Sequence, residues 1–80
     1  MSKQEKLIAK FRTANKQFKW DDLIAMLKGM GFEQIEAEGS RVTMVNEQII
    51  IKLHKPHPQK EIKAYVIKQV KEVLTAEGLL

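Results

Sequence analysis

The chain has 80 residues, below the ~100 to 200 of an ordinary domain, so it reads as one compact unit and a multidomain enzyme is excluded. Hydrophobic residues make up 44% against 30% charged, with Gly 4 and Pro 2, which suffices for a core and excludes a compositionally disordered chain. The net charge is +4, and the lack of cysteine removes disulfide frameworks, thiolate zinc sites and cysteine nucleophiles together, as fits a reducing cytosol.

No apolar run approaches the ~18 residues of a membrane span, and the lysine-rich start leads into no hydrophobic signal region. The expectation is a soluble protein of the cytoplasm that does not enter membranes. The charge is unevenly spread: Lys3, Lys6, Lys10, Arg12, Lys16 and Lys19 face only Glu5 in the first twenty residues, while acids outnumber bases from 21 to 58. A polyanion such as RNA can use that distribution through ionic phosphate contacts, although lysine is also ordinary surface coating.

Leu7, Ile8, Phe11, Ala14 and Phe18 recur at helical spacing and predict a first helix over 3–15, with Asn15 as its C-terminal cap and Lys16 to Lys19 as a basic connector. Asp21 and Asp22 then suit the start of a second helix over 21–30, whose apolar face is Leu23, Ile24, Leu27 and Met30 and which Gly31 ends in a left-handed conformation. Phe32, Ile35 and Ala37 alternate with glutamates and predict a strand over 32–38. Gly39-Ser40 turns the chain, Val42 to Val45 suggest a second strand over 41–46, and the β-branched run around Ile49 to Ile51 predicts a third over 48–53.

His54-Lys55-Pro56-His57-Pro58 cannot continue a central strand, because two prolines remove amide donors and hold their predecessors extended. A stiff loop is expected there, followed by a third helix over 59–76 with Ile62, Tyr65, Val66, Val70, Val73 and Leu74 on its apolar stripe. The fold class is therefore α+β. Its last five elements, α-β-β-β-α, outline a three-stranded antiparallel sheet with helices on one face, like a double-stranded-RNA-binding domain (dsRBD-like), preceded by an extra N-terminal helix.

Histidine is the side chain whose ordinary pKa, near ~6.5, suits proton transfer at neutral pH, and the two present, His54 and His57, flank Lys55-Pro56. One neutral and one protonated imidazole can take a proton from a ribose 2′-hydroxyl and return one to a leaving 5′-oxygen, while a cation steadies the phosphorane. The plainer alternative is that one imidazole fixes the loop and the other is solvated. No third ligand lies near them in sequence, which argues against a metal site, and no cofactor motif is present. Trp20 and Tyr65 could stack on bases, but their apolar contexts point to the core.

Trp20-Asp21-Asp22-Leu23-Ile24-Ala25-Met26-Leu27, Gly31-Phe32, Gly39-Ser40-Arg41-Val42, Leu53-His54-Lys55-Pro56-His57-Pro58 with Lys60-Glu61-Ile62, and the closing Gly78-Leu79-Leu80 resemble the HicA family of toxins. The resemblance runs from Trp20 to the end and divides the chain into an N-terminal helical extension, 1–19, and a HicA-like domain, 20–80. It implies a small endoribonuclease of a toxin-antitoxin pair that binds and cleaves mRNA and is neutralised by a HicB-like antitoxin. In that family a catalytic histidine usually follows the Gly39-Ser40 turn directly; here that position is Arg41, a permanently charged group that binds phosphate but cannot exchange protons at neutral pH. Proton transfer is then expected from His57 with His54 as helper, and phosphate binding from Arg41, Lys52, Lys55 and Lys60. The alternative is a non-catalytic RNA-binding or protein-interaction module of the same fold.

Overall fold

A computed structural model describes residues 2–36 and 39–80, with only the backbone of Glu36. In chain order the elements are α1 (Lys3–Thr13), β1 (Gln17–Lys19), α2 (Trp20–Gly29), β2 (Glu33–Glu36), β3 (Arg41–Asn46), β4 (Ile49–His54), β5 (Glu61–Lys63) and α3 (Ala64–Ala76). Strands β2, β3 and β4 form an antiparallel meander, and β1 pairs antiparallel with β5 in a separate two-stranded ribbon. The α+β, dsRBD-like expectation with its extra N-terminal helix holds.

Alternation along the sheet sends Val42, Met44, Ile51 and Leu53 to one face, where they are buried. They share one core with Leu7 and Phe11 of α1, Leu23, Ile24, Met26 and Leu27 of α2, and Ile67, Val70 and Leu74 of α3. Trp20 is buried too, as its sequence context suggested. Gly31, at φ 101°, takes the left-handed conformation that ends α2 and turns the chain into Phe32. The turn between β3 and β4 is Glu47-Gln48, with Glu47 at φ 54°.

Several boundaries differ from the sequence expectations, each for a local reason. The segment expected as a connector, Lys16 to Lys19, contains β1, and Phe18, whose spacing continues that of the first helix, belongs to this strand. Its side chain turns inward opposite Ile62 and packs edge-on against Phe11, with ring centroids 5.1 Å apart. Pairing with β1 also holds 61–63 extended, so the third helix begins at Ala64 and not near 59. Asn15 does not cap α1. Ala14 occupies that position, and the Lys71 ammonium donates to the Arg12 and Ala14 carbonyl oxygens at 2.9 and 2.6 Å, satisfying acceptors that a helix end leaves free.

Asp21 is not the cap of α2 either. Lys19 stands there without a side-chain bond, and Asp21 and Asp22 lie in the first turn, where their charge suits the positive end of the helix dipole. The first strand of the meander is Glu33–Glu36, and its expected continuation through Ala37 and Glu38 falls outside the described residues. Tyr65 is the clearest correction: it is 70% exposed, because α3 buries the line through Ile67, Val70 and Leu74 and Tyr65 lies off that line.

Candidate functional site

The residues that alternation keeps out of the core make the outer face of the meander. The register sets Arg41 opposite His54, Thr43 opposite Lys52 and Val45 opposite Ile50, and Ile35 of β2 lies beside Thr43. Opposed residues of an antiparallel pair project from the same face with Cβ atoms ~4.5 to 5.5 Å apart, so Arg41 and His54 are close neighbours. Arg41, Thr43, Lys52 and His54 line one shallow cleft at this end of the sheet. Exposed apolar side chains share this face: Ile35, 50% exposed, is level with Thr43 and Lys52, and Ile50, 58% exposed, lies one row further along, level with Val45 and Glu33.

His54 thus closes β4 and is not part of the loop expected from sequence, which starts at Lys55. That loop is tied at both ends. The Lys55 amide donates to the Ser40 carbonyl oxygen at 2.7 Å, joining its start to the Gly39-Ser40 turn, where Gly39 has φ 67°. The Trp20 amide donates to the Lys60 carbonyl oxygen at 2.8 Å, joining its end to the start of α2. Between these anchors Pro56 and Pro58 each fix φ and withhold a donor, so few torsions are left to vary.

His54 and His57 line a second cleft with Lys55, Gln59, Lys63 and Tyr65. His54 is common to both clefts, whereas His57 does not line the one that holds Arg41 and Lys52. Lys60 lines neither. It borders a third cleft beside the ribbon, together with Lys16, Gln59 and Lys63. Of the residues singled out in the sequence, the fold therefore gathers Arg41, Lys52 and His54, joins His54 to His57 and Lys55, and sets Lys60 apart. Thr43 and Lys63 escaped that reading, and Tyr65, weighed there as a stacking residue, was assigned to the core. Alternation in register with Lys52 would have exposed Thr43, but Lys63 and Tyr65 become legible only once the third helix is known to begin at Ala64.

Chemically, a guanidinium beside an imidazole can hold a phosphate by a bidentate bond while the imidazole exchanges a proton with it, and a second imidazole in the adjoining cleft completes an acid-base pair. Among the described residues, no group of three or more His, Asp or Glu is placed to hold a metal ion, and no helix is long and apolar enough to cross a membrane. A groove of about 800 Å³, larger than these clefts, lies between the end of α1 and α3, is lined by Ala14, Ala64, Ile67 and Ala76 among others, and meets the histidine cleft at Tyr65.

No curated protein and no solved structure matches this chain. A family model, that of the HicA toxin of bacterial toxin-antitoxin systems, matches residues 20–75. The match takes in α2, the whole meander, the histidine loop, β5 and nearly all of α3, more than half of the sequence, and the chain belongs to the HicA toxin family.

Proposed function

We propose that this HicA-family chain is an endoribonuclease that cuts mRNA and that a HicB-like antitoxin silences it by covering the outer face of the meander. The observation that carries the catalytic reading is the cross-strand pair of Arg41 and His54, with His57 in the adjoining cleft. Arg41 holds the scissile phosphate. His57, with His54 as helper, removes the 2′-hydroxyl proton and protonates the leaving 5′-oxygen, while Lys52 and Lys55 neutralise neighbouring phosphates; Lys60 meets the strand further along. The tether from Lys55 to Ser40 supports this reading, because it holds the histidine loop against the turn that leads into Arg41. In this scheme residues 1–19 are an accessory segment added to the toxin domain of 20–80.

The family membership implies a cognate antitoxin. Exposed Ile35 and Ile50 beside Arg41 and Lys52 make a mixed apolar and cationic surface that suits an inhibitor carrying carboxylates around an apolar centre. A second reading rests on Arg41: the arginine in place of the family's usual histidine favours a member that binds RNA or its partner without cutting.

Inducible expression, with cellular RNA followed over time, tests the proposal. Transcript decay and growth arrest, both relieved by co-expression of the product of a neighbouring gene, are expected. Intact RNA in arrested or unaffected cells favours the binding module. In that case Arg41→His, which restores the usual residue, is expected to switch cleavage on.

A further inference from the structure

The histidine cleft does not end at the loop. It shares Gln59, Glu61, Ile62 and Lys63 with the cleft beside the ribbon and His54 with the cleft of Arg41 and Lys52, so a row of adjoining clefts, a furrow, leads from Arg41 and Lys52, past His54 and His57, to Lys16 and Lys60. Tyr65 stands on its edge, in the first turn of α3, and is a 70% exposed aromatic ring off the buried face of that helix. Lys63 immediately precedes that helix, is exposed, and borders both the histidine cleft and the ribbon cleft. Among the described residues, the one acidic side chain lining these two clefts is Glu61, which is half-buried, so the furrow is cationic.

We propose that Tyr65, with Lys63 and Lys16, forms a second RNA subsite that takes single-stranded RNA, Tyr65 stacking on an unpaired base while the lysines hold the phosphates beside it. The inference rests on the RNA reading above and adds to it the strand state of the substrate and the path it takes. An exposed ring beside a furrow of lysines has the two components of a sequence-tolerant single-strand site: a platform for any base face and a cationic track for the backbone. A base within a duplex is already stacked on both sides and cannot use such a platform, whereas an unpaired one can. Lys16 lies in the N-terminal segment, outside the family match, so this end of the furrow belongs jointly to the accessory segment and the toxin domain.

The test is binding of labelled oligouridylate, and of the duplex it forms with oligoadenylate, to the full chain and to variants at exposed positions whose melting temperatures match the parent. Stacking predicts that Tyr65→Ala weakens oligouridylate binding roughly 5- to 150-fold while Tyr65→Phe retains it. Lys16→Gln and Lys63→Gln are each expected to lower the salt dependence, the slope of log affinity against log salt, by about 0.7, the single-strand value per phosphate contact. Unchanged affinity of Tyr65→Ala, in a protein that binds oligouridylate and loses it on Arg41→Ala, overturns the subsite alone. Tighter binding of the duplex overturns its single-strand character. No RNA binding by the unmutated chain overturns the RNA reading and the subsite with it.

Discussion

The meander and the ribbon are both antiparallel, yet they hold together in different ways and do different work. In the meander, neighbours in sequence pair through the short turn at Glu47-Gln48, and a buried face of Val42, Met44, Ile51 and Leu53 fixes the register, because a one-residue slip would expose all four. The ribbon joins two three-residue strands from opposite ends of the chain. So short a pair has little intrinsic stability, and it persists because Phe18 and Ile62 are both anchored in the common core. The meander therefore supplies a rigid surface on which Arg41, Lys52 and His54 are displayed. The ribbon supplies a clamp on the far end of the histidine loop. A site can thus depend on a segment that carries none of its proposed catalytic groups.

Breaking the clamp has the largest expected effect. Phe18→Ala empties a buried aromatic position that touches Phe11, and such substitutions cost ~3 to 5 kcal/mol; thermal denaturation should show it. If the melting temperature is unchanged, the ribbon is not part of the core. Met44→Ala, on the inner face of the meander, should cost ~2 to 5 kcal/mol, whereas Ile50→Thr on the outer face should stay within ~0.5 kcal/mol and instead weaken antitoxin binding. Equal losses at the two positions would mean that the sheet is covered on both sides.

Lys71→Met keeps most of the length of the side chain but removes the ammonium that the last carbonyls of α1 accept from. Hydrogen bonds to charged groups contribute ~1.5 to 3 kcal/mol, and partial exposure puts the expected loss at the lower end, read by the same melting experiment. A small effect is also expected at Lys10, whose 3.2 Å ion pair with Asp22 lies on the surface; Lys10→Gln should cost at most ~1 kcal/mol, and less in high salt.

These same regions explain what could be read from the sequence. The meander was legible because its signals are local: β-branched residues from Ile49 to Ile51, the Gly39-Ser40 turn and two prolines that stop the last strand. The helical period likewise located α1 and α2. The ribbon was not legible, since three residues are too few to show an alternation and the partner strand lies at the other end of the chain. Phe18 fitted the spacing of the first helix and Ile62 the stripe of the third equally well, so neither signalled a strand, and Ile62 drew the expected start of α3 forward from Ala64. The site followed the same division. Arg41, Lys52 and His54 became a group through the local register, whereas the separation of Lys60 from His57 and the exposure of Tyr65 came from the long-range pairing.

The central claim is that proton transfer has passed from the position now held by Arg41 to the histidines at the end of β4 and in the loop. Cleavage of a labelled RNA by purified His54→Ala/His57→Ala, alongside its binding and melting temperature, tests this most directly. General acid-base catalysis is typically worth ~10² to 10⁴-fold, so cleavage should fall by about that factor while melting stays as in the parent, because both side chains are exposed, and RNA binding through Arg41 persists. Undiminished cleavage by the folded double variant would contradict the claim.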